Sequence, residues 1–230
     1  WGDELLFGLI LTIQLAIASL VCGLALGLLL ALAKLSSIKP LRWLAGGYDL
    51  VIRGTPEFLI LLAVYYGSAA AINAALGGIG FDLAIETPKF AAATAGLAMI
   101  FASYASEVMR GAFHAAPPGQ IEAAIAIGMS PSQSFRRVRL PQMWRYAIPG
   151  LGNLWMVLIK DTSLAAVIAL DDLLRQAKIA GENTREPLLF FLAAGALYLT
   201  LTALSDVGRA RLERRARRGV DKADAAEKPA

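Results

Sequence analysis

Ionisable side chains inside apolar runs are the groups in this sequence with chemistry to explain. Glu107 and Arg110 stand three apart near the end of one run. Lys160 and Asp161 adjoin inside another, and Arg53 and Glu57 stand four apart at the start of a third. A charge near the middle of a bilayer costs at least roughly 2.5–3.5 kcal/mol on insertion scales, so each needs a partner or a task. Residues three or four apart share a helix face. Glu107 with Arg110 therefore reads either as a local ion pair or as a carboxylate on the route of a polar solute. Arg53 with Glu57 reads as a structural anchor. Adjacent residues point about 100° apart on a helix, so Lys160 and Asp161 cannot simply face each other. At least one of them requires another helix, a water-filled cavity or a solute. Asp161 is read as lining a cavity, with pairing to Arg53 or Lys160 as the alternative. Asn153 is read as facing the interior of the same run, able to hydrogen-bond a ligand or a neighbouring helix. For a cationic solute, Glu107 and Asp161 are the candidate acids, and Arg53, Glu57, Arg110 and Lys160 are candidate structural or gating groups.

Several chemistries are excluded. The sequence contains no Gly-Lys dipeptide, so it lacks a P-loop of the Gly-Lys-Ser/Thr kind and does not hydrolyse ATP through that motif. GxSxG, HExxH and CxxC are absent, which leaves no recognisable catalytic centre. Cys22 is the single cysteine and His114 the single histidine, so neither an intramolecular disulfide nor a Cys- or His-rich metal site is available. The arginines from Arg209 to Arg218 follow an apolar run. They read as a positive-inside stop in contact with anionic lipid rather than as a nucleic-acid patch.

The elements that must position these groups are membrane helices. Of 230 residues 57% are apolar and only 17% charged, against roughly 25% charged in soluble domains. Runs long enough to span are expected over about 5–33, 48–75, 90–110, 146–170 and 188–206. The first is read as a retained helix rather than a signal peptide. Its Gly23-x-x-x-Gly27 could seat another helix or face lipid by chance. Segments 73–88 and 171–187 read as loops, the second with a possible short helix, and 219–230 as a polar tail. No internal repeat of the kind that marks inverted-repeat transporters is visible. Lysine and arginine gather in 34–42, in 136–145 and after 209, whereas 73–88 has none. The positive-inside rule then puts the N-terminus outside, the C-terminus inside, and the segment 115–142 on the cytoplasmic side.

Within that segment, 119–142 is polar and punctuated. Gln120 to Ile127 reads as a short helix rich in alanine, bounded by Pro117-Pro118 and by Gly128, which suits a left-handed stop. Ser130 is a good N-cap, Pro131 fits the first helical position, and Gln133 completes a capping box. Pro141 is expected to stop or kink the second helix. Two short helices with a sharp bend would fit a groove on a partner, and Glu122 lies near a helix N-terminus.

Glu122-Ala123-Ala124, three residues, Gly128, nine residues and Val138-x-Leu140-Pro141 are similar to the EAA loop of ABC importer permeases. Val138 stands where isoleucine is commoner, and Pro118 where lysine often stands. Arg53-Gly54-Thr55-Pro56, Glu107 with Arg110-Gly111, Pro118-Gly119-Gln120 and Lys160-Asp161-Thr162-Ser163-Leu164 resemble motifs of polar amino-acid permeases of the histidine/arginine/opine type. The resemblance implies an all-α membrane protein of the type I importer permease fold in the bacterial inner membrane. It also implies ATPase coupling through Glu122, Ala123, Ala124, Gly128, Leu140 and Pro141. Its implied partners are a sister permease (homo- or heterodimeric), two ATPase subunits that carry ATP and Mg, and a periplasmic substrate-binding protein, with no cofactor on this chain. The readings of a different class are an ATP-independent transporter or channel, and a scaffold without its own solute path.

Overall fold

The computed structural model describes residues 1–78 and 87–217. Gly80, Asp82 and Glu86 of the expected acidic loop, and the tail from Arg218, lie outside the described residues. All regular structure among the described residues is helical. Among the described residues, five helical stretches are long and apolar enough to cross a membrane: Gly2–Leu35, Glu57–Ala74, Lys89–Ala115, Pro131–Ile168 and Pro187–Ala216.

Two expected limits are corrected, and proline is the reason both times. The run expected to span over 48–75 is two helices, α2 (Lys39–Gly54) and α3 (Glu57–Gly78). Steric conflict with a following proline pushes a residue out of the helical region. Thr55, before Pro56, is extended at φ −111°, ψ 137°, so the helix must end there. Arg53 and Glu57 consequently sit on different helices and do not anchor one another. The second correction concerns Pro141, which does not stop its helix. The short α6 (Pro131–Ser134) passes through a π-helical turn, Phe135–Arg139, into α7 (Leu140–Asp161). Proline lacks an N–H and its ring conflicts with the carbonyl four residues back. Here Pro141 is the second residue of α7, directly after a turn wound wider than an α-helix. The fourth spanning stretch thus begins at Pro131 rather than near residue 146. It continues past Asp161 as a 3-10 helix, Thr162–Ile168.

The core is organised by α4 (Lys89–Ala115), whose buried face alternates small and large residues. Around it pack α1 (Gly2–Leu35), α3 and α7. The α1 crossing uses the glycine pair: a Cβ on Gly23 would lie 2.7 Å from Phe101 Cδ1 and 3.2 Å from the Ala98 carbonyl. On Gly27 it would lie 3.1 Å from Ala105 Cβ and 3.2 Å from the Ala102 carbonyl. The motif is therefore a packing contact, with small residues on both helices letting the backbones meet.

The segment expected as a mixed-charge loop contains α8 (Leu173–Thr184), capped by Asp172, whose carboxylate accepts from Arg175 N–H at 3.0 Å. Thr12 of α1 accepts from Leu173 N–H at 3.2 Å, which seats the start of α8 on α1. The last element, α9 (Pro187–Arg217), packs on α8 and α7.

Filling the α1–α4 seam tests this packing. Gly27→Leu should lower the thermal stability of the detergent-solubilised protein by about 1–3 kcal/mol, the usual cost of overpacking. Gly46→Ala, where a Cβ meets nothing within 4 Å, should leave it unchanged. Equal unfolding temperatures for the two variants would contradict the seam.

Candidate functional site

Three constellations gather the chemically notable residues. The first is the bent helix pair. α5 (Pro118–Ala126) ends where Gly128 takes φ +87°, a conformation that glycine adopts without a Cβ penalty. The stop is closed by Gly128 N–H donating to the Ile125 carbonyl at 2.9 Å and Met129 N–H to the Ala124 carbonyl at 3.0 Å. α6 then starts on the capping box: Ser130 Oγ accepts from Gln133 N–H at 3.3 Å, and Ser130 N–H donates to Gln133 Oε1 at 3.0 Å. Ala124 is buried against the protein, while Glu122, Ala123 and Gly128 are exposed. Ile125 and Ile127 are exposed as well, Ile127 by 76%. Two large apolar groups thus stand in the open on the bend. Sequence reading singled out the alanines and missed these isoleucines, because periodicity alone does not show which face of so short a helix is covered. The base of the bend is fixed to α4: Phe113 and Phe135 stack at 6.1 Å, and the Arg139 guanidinium lies 5.5 Å from the Phe113 ring. Gln142 donates to Gln120, tying the start of α7 to α5. Leu140 is half-buried and Pro141 exposed beside this tie.

The second constellation is an ionic network joining α1, α2 and α4. Lys34, only 9% exposed, pairs with Asp49 (14% exposed) and reaches Glu107 Oε1 at 2.8 Å and Ser106 Oγ at 2.6 Å. The other oxygen of Glu107 accepts from Arg110 at 2.7 and 3.0 Å. Ser103 Oγ donates to Asp49 at 2.9 Å, and Arg53 donates to Ser103 Oγ at 3.0 Å and to its carbonyl at 2.6 Å. Arg53 also lies 5.0 Å from the Tyr104 ring centroid, a cation–π distance. Burial, with the Asp49 charge adding to it, pushes the Tyr48 phenol up to about 12. It stays a donor, to the Met99 carbonyl at 2.8 Å. Both oxygens of Glu107 are thus held by cations of this chain, and the pairing with Arg110 occurs as the spacing indicates. Lys34 and Asp49 went unnoticed in the sequence because their partners lie 15, 72 and 73 residues away.

The third constellation surrounds Asp161 at the end of α7. It lines a crevice of about 20 Å³ with Ile100, Phe101, Tyr104, Val157 and other apolar residues. Among the described residues it makes no hydrogen bond or salt bridge, so neither Arg53 nor Lys160 neutralises it by contact. Its charged neighbours are Glu57, at the start of α3, and Lys160. Lys160 turns to a separate pocket of about 280 Å³ with Ser163, Phe191 and Tyr198. Asn153, expected to face the interior, is exposed. It lies seven residues before Lys160, so those two share one open face of α7, while half-buried Asp161 is turned about 80° further round the helix, towards α4.

Comparison with known proteins identifies the family. Residues 23–218 match the family model described as binding-protein-dependent transport system inner membrane component. The chain belongs to that family. The permease is 41% identical to the nopaline transport system permease protein NocQ of Agrobacterium fabrum, over 96% of this chain and 94% of the relative. It is 39% identical to the histidine/lysine/arginine/ornithine transport system permease protein HisQ of Salmonella typhimurium, over 97% and 98%. A solved amino acid ABC transporter shares its structure with a TM-score of 0.77 at 34% identity, covering 93% of this chain and 94% of that one. The methionine transporter MetNI, at 19% identity and TM-score 0.68, shows the same fold. The permease is a multi-pass inner-membrane subunit of a transporter.

Breaking a buried ion pair by removing one partner costs about 3–5 kcal/mol. Lys34→Ala in the permease should therefore lower stability in detergent by an amount in that range, while Lys34→Ala combined with Asp49→Leu should recover part of it. A single variant as stable as the wild type would show that the network carries no stability.

Proposed function

We propose that the permease forms the solute path of an ATP-driven importer of basic amino acids or opines, working with a sister permease, two ATPase subunits and a periplasmic binding protein. ATP and Mg belong to the ATPases in this reading, and α5 with α6 is the element they push. The observation that carries it is the rigid bend at Gly128 with Ile125, Ile127 and Ala123 left open. A lever needs a stiff stop, a face for the motor and a firm base, and the αL turn, the exposed isoleucines and the Phe113–Phe135 stack supply these. Positive-inside charge, from Arg136, Arg137 and Arg145 beside the bend, supports a cytoplasmic position for it and an outside N-terminus.

The path is assigned to the open face of α7. An exposed asparagine and lysine at membrane level, with a half-buried aspartate without a contact partner beside them, are costly against lipid, so a sister subunit facing them across a shared cavity is the economical arrangement. Asp161 is the recognition acid, with Glu57 a second negative group near it. Together they favour a cationic solute, such as the guanidinium or ammonium groups of the solutes named for HisQ and NocQ. Glu107, saturated by Lys34 and Arg110, is assigned to the scaffold instead. Alternating access then follows if ATP-bound and free motors prefer different arrangements of the spans.

Two experiments in proteoliposomes holding the complete complex test this. Gly128→Val forces a β-branched residue to positive φ and should abolish ATP-driven uptake at an unchanged membrane level, whereas Gly128→Asn should retain most of it. Unimpaired uptake by the valine variant would rule out the lever. Asp161→Asn should raise the KM for arginine at least tenfold, with ATPase coupling intact. An unchanged KM would remove Asp161 from the path.

A further inference from the structure

A groove of about 450 Å³ runs along α7 on the side away from Asp161. Its floor carries Trp144, Gly152 and Trp155, one wall is Leu20 and Leu24 of α1, and the other is Gly208 and Leu212 of α9. From Trp144 to Trp155 the floor is roughly 16 Å long at the α-helical rise, and its lining is almost wholly apolar.

One end of this groove is basic. A Cβ on Gly152 would lie 2.8 Å from Arg209 Cγ, so Gly152 of α7 and Arg209 of α9 are at one level. α7 packs along α9, and the chain returns through α8 between them, so the two helices run antiparallel. Seven residues before Gly152 is Arg145, and six after Arg209 is Arg215, which brings the two arginines to the same end. On α9, Arg211 follows Gly208 by three residues and Arg215 follows it by seven, so both sit close to the groove-facing stripe. The Arg209 guanidinium itself is held by Asp206 at 2.6 Å and Glu213 at 2.6 Å. Arg145, Arg211 and Arg215 have no ion pair among the described residues. From 206 to 216, α9 carries four arginines against Asp206 and Glu213.

We infer that this groove binds one acyl chain of an anionic phospholipid, with the phosphate on Arg145, Arg211 and Arg215. The apolar channel lies at membrane level between spanning helices, where acyl chains are the solvent. The unpaired guanidinium groups stand where that channel meets the polar boundary, beside Trp144, a residue type favoured at that boundary. Guanidinium matches phosphate in charge and in hydrogen-bond geometry. A second copy of this chain fits less well, because a twofold contact here would set arginine against arginine. The inference is independent of which solute the permease carries.

The test uses the complex purified in mild detergent with its partners. Adding phosphatidylglycerol should raise its unfolding temperature by several degrees, and phosphatidylcholine at equal concentration by clearly less. Gly208→Leu, where a Cβ meets nothing within 4 Å, fills the groove without a clash and should abolish the difference. Arg211→Gln with Arg215→Gln should reduce it while leaving stability in detergent alone unchanged. Native mass spectrometry should find phosphatidylglycerol retained by the wild type and lost from the Gly208→Leu variant. Equal shifts with both lipids, or retention by all variants, would overturn the proposal. So would cross-linking of the Gly208→Cys variant to a sister subunit through that position, which would make the groove a protein interface.

Discussion

An ammonium group cannot stay in an apolar surrounding without counter-charge, and Lys34 makes that constraint structural. Its partners come from two other helices, so solvating one lysine of α1 holds α1, α2 and α4 in a single register. The glycine pair of α1 works in the same direction, because Gly23 and Gly27 bring the two backbones close enough for the lysine, at the far end of α1, to reach Ser106 and Glu107. Van der Waals contact alone would leave the helices free to slide by a turn. The ion pairs select one turn, since moving α1 along α4 would leave the Lys34 ammonium buried without its carboxylates.

The polar groups then divide by whether the chain satisfies its own charges. Glu107, Asp49, Lys34 and Arg53 are closed among themselves and serve the scaffold. Asn153 and Lys160 are left exposed, and Asp161 is left without a hydrogen bond or ion pair among the described residues in its crevice beside α4. That division is the physical ground for placing solute chemistry on α7 rather than on α4.

Local features were legible in the sequence and distant ones were not. The capping box at Ser130 and the stop at Gly128 depend on residues within three or four positions, and both stand in the structure as read. The number of spanning helices was legible because a bilayer sets their length. The break at Thr55-Pro56 was available in the sequence too, but the apolar residues on either side concealed it, and α2 was merged with α3. Pro141 misled in the opposite way: the rule that proline ends helices holds for a regular helix, and the π turn before it supplies an exception that no short motif announces. Lys34 and Asp49 were invisible as a pair because charge pairing across 15 or 73 residues is decided by packing. Asn153 was assigned inward on polarity alone, although a polar residue in a span also suits a face that another subunit covers.

The elbow between α2 and α3 has a mechanical consequence. The helical ladder is cut there, and Leu59 and Ile60 start a new one by donating to the Pro56 carbonyl. Behind the cut, α2 is bolted through Asp49 and Arg53 to the stiff α1–α4 block. Ahead of it, α3 carries Glu57 on its first turn and rests on α4 partly through Leu61 against Gly96, a flexible side chain over a residue without one. Rotation about the elbow severs no ladder bond, and what resists it is side-chain packing, chiefly Ile60 with Ile52 and Ile100, and Leu61. The carboxylate nearest that joint, Glu57, is a charged neighbour of Asp161, so the packing that sets the elbow also sets the spacing of the two acids.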